Sequence, residues 1–200
     1  MKILIYTIAF FFMFNQPALA DEKSEVAGLV KEKIGLVIKL LKDKTIDKKE
    51  RNEQIIAAVL PILDFELMAQ LSLGKTSWQS ISEEQQKEFT ELFVKRTQES
   101  YLEKLDLYSN EEVVYKDATM EKNRIFVMTE LVYKGDKIEM LYKFYKSKDG
   151  WKGYDVEILG VSIIQTYRSQ FNGVMKKGGI EELLKKLKVT GEFEISTEKK

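Results

Sequence analysis

The spacing of apolar residues changes character once along this chain. Up to Asn110 they recur every three or four positions, and beyond it they alternate. Val26, Val30, Ile34, Val37, Ile38 and Leu41 fall on one amphipathic stripe, which predicts an opening helix. Asp47 followed by Glu50 reads as an N-cap with its N3 partner. It starts a second helix through Ile55, Ile56 and Val59, which Pro61 ends or kinks. A short helix is expected from Asp64 to Ser72, stopping at Gly74. Ser82-Glu83-Glu84-Gln85 is a capping box, and behind it Phe89, Leu92, Phe93, Tyr101, Leu105 and Tyr108 share one side of a long helix. Arg96 and Thr97 lie within that stripe. For Arg96 the expectation is a stem laid on apolar surface with its head in water.

Period-two alternation then predicts four strands: 111–120, 124–134, 137–147 and 151–159. Glu121-Lys122-Asn123, Gly135-Asp136 and Lys148-Asp149-Gly150 separate them, which is turn chemistry at hairpin length and implies an antiparallel meander. A two-residue Gly135-Asp136 turn would pair Tyr133 with Ile138, Leu131 with Met140 and Val127 with Phe144. A three-residue loop, Lys148 to Gly150, would pair Phe144 with Tyr154, Tyr142 with Val156 and Met140 with Ile158, whereas a one-residue slip would mix apolar and acidic groups. That register gives one apolar face: Ile125, Val127, Leu131, Tyr133, Ile138, Met140, Tyr142, Phe144, Tyr154, Val156 and Ile158. The reverse face is mixed, so the sheet should cup something on its apolar side.

Ser162 with Gln165 is a further capping box. Val161, Ile164, Tyr167, Phe171 and Met175 continue a stripe to the helix stop at Gly178-Gly179, and Ile180 to Leu187 forms a last short helix. The tail from Gly191 to Lys200 reads as frayed. Without internal repeats or low-complexity linkers, the simplest organisation is a single α+β domain over residues 21–190.

The first twenty residues stand apart. Lys2 precedes the apolar run Ile3–Phe14, and Pro17-Ala18-Leu19-Ala20 ends in an A-x-A pattern before Asp21. The run is too short to span a ~30 Å hydrocarbon core, so it is expected to be a secretory signal peptide cleaved after Ala20. Composition narrows the chemistry further. The chain has no His and no Cys, which excludes Ser-His-Asp and Cys-His catalysis, His-ligated zinc, disulfides and a lipobox. Its 32 basic and 32 acidic residues balance, so nothing suggests a nucleic-acid partner. No P-loop, dinucleotide fingerprint, G-x-S-x-G elbow or EF-hand spacing occurs, and no cofactor or metal is expected. Asp155 and Glu157 lie two apart on one strand face; a solvated face beside Lys143 and Lys152 is the simpler account of them than a coupled carboxylate pair. The apolar sheet face admits two accounts, a filled core or a cavity for an apolar ligand, which periodicity alone does not separate.

Three stretches resemble one family. Phe65-Glu66-Leu67-Met68-Ala69-Gln70-Leu71-Ser72-Leu73-Gly74 with Trp78 is similar to its short helix ending in a Leu-Gly turn. Glu84-Gln85-Gln86-Lys87-Glu88-Phe89 with Leu92-Phe93 and Tyr101 is similar to its long central helix. Trp151-Lys152-Gly153-Tyr154-Asp155-Val156-Glu157-Ile158-Leu159-Gly160-Val161-Ser162, leading into Tyr167-Arg168-Ser169-Gln170-Phe171 and Gly179-Ile180, is the most specific. This order resembles the MlaC / toluene-tolerance family of periplasmic phospholipid-binding proteins, over roughly residues 24 to 188.

The resemblance implies a twisted antiparallel sheet wrapped by helices, like the NTF2-like cone, with acyl chains inside and the headgroup exposed. It implies a monomeric periplasmic carrier of phospholipid between the two membranes of a Gram-negative envelope. Its partners would be an ABC transporter with an MCE-domain subunit at the inner membrane and an outer-membrane lipoprotein complex. On that basis the expected tail contacts are Val127, Leu131, Met140, Tyr142, Phe144, Tyr154, Val156 and Ile158 on the sheet, with Phe93, Ile164, Tyr167 and Phe171 as helical lids. Two competitors stand beside this: a small NTF2-like enzyme with an Asp or Tyr acid–base pair, and an envelope adaptor with a filled core.

Overall fold

The computed structural model describes residues 18–105, 112–133, 136–189 and 193. Helices α1 (Ala18–Lys42) and α2 (Lys48–Val59) form an antiparallel pair, followed by a 3-10 turn (Leu60–Ile62), α3 (Phe65–Leu73), α4 (Lys75–Gln79) and the long α5 (Glu83–Leu105). Of the expected signal sequence only Ala18–Ala20 lie within the described residues, where they open α1. Tyr108 lies outside them.

The helix starts are those the sequence encodes. Asp47 accepts from the Glu50 amide at 2.9 Å, and Asp64 from the Leu67 amide at 2.9 Å. Ser82 and Gln85 exchange bonds of 3.0 and 3.2 Å, the reciprocal capping box. Each such cap is worth about 1 kcal/mol against alanine. Pro61 sits inside the 3-10 turn that follows α2.

Six strands among the described residues form one antiparallel sheet: β1 (Glu112–Tyr115), β2 (Thr119–Glu121), β3 (Arg124–Tyr133), β4 (Asp136–Ser147), β5 (Gly150–Ile158) and β6 (Val161–Ser162). The order is β1-β3-β4-β5-β6, with β2 also pairing β3. The expected first strand is therefore two short ones on the same edge of β3, interrupted at Lys116-Asp117-Ala118. The fold is the expected mixture of a helical N-terminal half and an open antiparallel sheet, with six strands in place of four.

Two registers differ from expectation. Tyr133 opposes Asp136, Leu131 opposes Ile138, and Val127 opposes Tyr142. The offset is two residues, which preserves which side chains share a face and so is invisible to the hydrophobic pattern. Between β4 and β5, Met140–Ile158 and Tyr142–Val156 pair as expected, but Phe144 opposes Gly153. Tyr154 is the extra residue of a β-bulge. Its ring lies 6.0 Å from that of Tyr145 and 5.5 Å from the Arg124 guanidinium, on the face away from Phe144.

At the bulge, Gly153 receives the chain entering α3 at close range. Leu63 makes a parallel bridge to it, and the Asp64 amide donates to its carbonyl at 2.9 Å. A Cβ on Gly153 would stand 2.8 Å from the Leu63 side chain. Tyr145 on β4 donates to the Asp64 carboxylate, so the start of α3 is fastened to the sheet twice.

Helix α6 (Ile163–Leu187) closes the chain, capped by Ser162 Oγ at 3.1 Å from the Gln165 amide. Gly179, at φ 65°, breaks it into the two helices the sequence implies. Phe193, inside the stretch expected to fray, is instead buried, with its ring 5.1 Å from that of Phe171.

A candidate lipid cavity between two cores

Two packed clusters lie against the sheet. The first joins α3, α5 and α6 and is aromatic. Phe93 meets Tyr167 at 5.3 Å and 73°, Phe89 meets Phe171 at 5.5 Å and 84°, and Tyr167 stacks on Phe171 at 5.3 Å. These edge-on and stacked geometries are the ones aromatic rings prefer when packed. The second presses Val26 and Val30 of α1 onto Ile125, Val127, Phe144 and Trp151. A smaller third cluster joins Leu40, Leu41 and Ile55 where α1 and α2 meet the end of α5.

Between these clusters lies a cavity of about 340 Å³. That volume is within the range of small-molecule sites, ~300–1,000 Å³. One wall is the sheet, through Val113, Leu131, Met140, Tyr142, Phe144 and Val156. The facing wall is helical and aliphatic: Ile34, Val37, Ile38 and Leu41 on α1, Ile56 and Val59 on α2, Leu102 and Leu105 on α5. Lys33 and Asp155 are the charged residues on its boundary.

Of the sheet residues expected to contact lipid tails, Leu131, Met140, Tyr142, Phe144 and Val156 border this cavity. Val127 instead sits in the α1–sheet core, Ile158 packs against the aromatic core, and Tyr154 is carried to the other face by the bulge. Phe93, Ile164, Tyr167 and Phe171, expected as lids, are all within the aromatic core. Their bulk made them candidates, yet the same bulk lets them pack solid. The residues missed are the aliphatic ones on α1, α2 and the end of α5. Their stripe was visible as periodicity, but nothing in a stripe states whether it meets a partner or a void.

Two polar expectations also change. Arg96 does not hold its head in water: it is buried, with Nη1 2.8 Å from Glu99 and Nη2 donating to the Val189 carbonyl at 2.7 Å. Asp155 is not on a solvated face. It is 6% exposed, accepts from Ser162 Oγ at 2.7 Å and the Ile164 amide at 3.3 Å, and lies 3.2 Å from Lys143. Lys143 also bonds Glu157, while Lys152 turns away to donate to the Pro61 carbonyl at 2.6 Å. Burial works against the Lys143 charge, but the Glu157 and Asp155 carboxylates outweigh it and hold the ammonium above the ordinary lysine value.

Burial pushes the Tyr142 phenol up to about 12 and raises that of Tyr101 well above its ordinary value. The boundary phenols are therefore neutral at physiological pH, in keeping with a dry wall.

Comparisons with known proteins agree with this geometry. Residues 31–189 match the family model described as MlaC protein. A curated relative from Haemophilus influenzae, the intermembrane phospholipid transport system binding protein MlaC, is 24% identical over 135 residues. That match takes in 64% of this chain and 63% of the relative, so it spans somewhat under two thirds of the relative's length. A phospholipid-binding protein from Ralstonia solanacearum, solved in complex with a phospholipid, superimposes with a TM-score of 0.72 at 25% identity. The superposition takes in 81% of this chain and 94% of that one. With the family model matched across the sheet, the cavity helices and the aromatic core alike, the chain belongs to the MlaC family.

Proposed function

We propose that this protein is a periplasmic phospholipid carrier whose cavity holds acyl chains. The observation that carries the reading is the aliphatic cavity between sheet and helices. Hydrocarbon tails offer nothing to hydrogen-bond, so a site for them needs dry apolar walls and no directional chemistry. The transfer physics sets the demand. Burying roughly 30 methylenes at ~0.8 kcal/mol each amounts to about 25 kcal/mol gross, so a phospholipid does not leave a bilayer unaided. The family membership and the phospholipid bound by the Ralstonia relative support the same ligand.

The opening apolar segment exports the chain, and the folded carrier passes lipid between an inner-membrane ABC transporter with an MCE-domain subunit and an outer-membrane lipoprotein complex. The role is non-catalytic. Asp155 borders the cavity, but its carboxylate oxygens are engaged by Ser162, the Ile164 amide and Lys143, which leaves it poorly placed to serve as a base. Native mass spectrometry of protein extracted gently from the periplasm tests the reading. Co-purified phospholipid is expected, and a uniformly ligand-free mass would overturn it.

A further inference from the structure

The hairpin that joins α1 to α2 concentrates positive charge at one end of the cavity. Between Lys39 and Lys49 the chain has five lysines against two aspartates, and all five lysines are exposed. Both aspartates are turned back onto the chain. Asp43 accepts from the Thr45 amide at 2.8 Å and from its hydroxyl at 2.6 Å, and Asp47 caps α2. Of the next acids, Glu50 accepts from Gln54 at 3.1 Å and Glu53 lies 4.0 Å from Lys49. Lys39, Lys42 and Lys44 make no ion pair among the described residues, so their charge is left to the solvent side. Leu36, 37% exposed, lies one turn before Lys39 on the same helix face. The inner side of this hairpin is cavity wall, where Ile38 and Leu41 stand next in the chain to Lys39 and Lys42.

The residue types at this tip select its partner. Interfaces between folded proteins favour arginine, whose planar fork holds carboxylates in a fixed geometry, and are depleted in lysine. From Lys39 to Lys49 there are lysines and no arginine, spread over the end of α1, the turn and the start of α2. Spread lysine charge beside an exposed leucine suits a surface whose anions are mobile, which is that of a bilayer containing acidic phospholipid. Resting on the carrier reading, we propose that the α1–α2 hairpin docks the protein onto the anionic face of a membrane, holding that end of the cavity against the lipids it exchanges. The attraction is screened by salt and therefore reversible, as a carrier that leaves one membrane for another requires.

Vesicle sedimentation tests the surface. The full mature chain is mixed with phosphatidylcholine vesicles, with or without about one third phosphatidylglycerol. Native mass spectrometry of the same preparation reads its lipid content. Binding to the phosphatidylglycerol vesicles alone is expected at about 0.1 M salt, with its loss at about 0.5 M. Lys39→Gln/Lys42→Gln/Lys44→Gln should weaken that binding roughly a hundredfold, at about fivefold per lysine, with an unchanged urea midpoint. Lys176→Gln/Lys177→Gln/Lys185→Gln makes the same charge change at the opposite end of α5, where Lys177 and Lys185 share a groove with Glu88, and should keep most of the binding. Undiminished binding by the first variant, or equal weakening by both, would overturn the docking surface and leave the carrier reading intact. Failure of the wild type to bind either vesicle would also overturn it and leave the lysines to an acidic protein face. Binding through the hairpin by a chain of ligand-free mass would uphold the surface and overturn the carrier reading.

Discussion

The aromatic core and the cavity are built against the same sheet, a few residues apart, and differ in the shape of their side chains. Phe89, Phe93, Tyr167, Phe171 and Phe193 meet edge to face or stacked and are all buried. Across the cavity, Ile34, Val37, Ile38, Ile56 and Val59 face Met140 and Tyr142 without reaching them closely enough to fill the space. Hydrophobicity is similar on both sides, so packing rather than polarity decides which region is scaffold and which is site. A solid aromatic block lets the neighbouring helices stand off the sheet without collapsing onto it.

The sharpest test of that division is chemical. Met140→Asp places a carboxylate in the cavity wall and should lower phospholipid retention at least about a hundredfold, measured by lipid extracted per mole of folded protein. Unchanged retention would mean that this wall does not meet lipid. Next, Phe93→Ala should cost about 3–5 kcal/mol in urea unfolding, because it leaves a hole in packed material. Ile38→Ala should cost about 1 kcal/mol or less, since that side chain already faces open space and loses few neighbours. Equal costs at the two positions would erase the distinction between core and cavity.

A smaller effect is expected at the boundary. Asp155→Asn disturbs the bonds to Lys143, Ser162 and the start of α6 and should cost about 1–3 kcal/mol, with the urea midpoint moving at constant slope. The last concerns pH. Tyr145, held by the Asp64 carboxylate, and Tyr142, held by burial, both titrate near about 12 against an ordinary 10.0. The folded state therefore keeps protons that the unfolded chain gives up. Stability should be full below pH 10.0 and decline as pH rises towards about 12, with Lys143 adding in the same sense. Tyr145→Phe should flatten part of that decline in alkaline denaturation curves.

How far the sequence could be read follows from the same contrast. Helix starts at Asp47, Ser82 and Ser162 were legible because a cap is a local device, satisfied within three residues. The sheet face was legible because alternation fixes sides. Alternation cannot fix offset by two, which is why Val127 was placed opposite Phe144 when it faces Tyr142. The bulge at Tyr154 was hidden as well, although Gly153 beside it is the residue type such irregularities favour. Asp155 looked solvated because a lone acid on a mixed face carries no sign of the serine and helix N-terminus that enclose it. The residues expected as lids lie in the aromatic core, since apolar bulk reads as ligand contact and core alike.

The bridge between Leu63 and Gly153 has a consequence for how copies of this chain behave together. An open antiparallel sheet offers its outer strands as templates for a neighbour's backbone. Here the free side of β5 is taken at one end by Leu63 and Asp64 and at the other by β6. The opposite edge is cut into two short pieces, with exposed Lys116 and Asp117 between them. Strand-by-strand self-association therefore has little edge on which to start, and a chain built around an apolar hollow is kept from aggregating through its sheet.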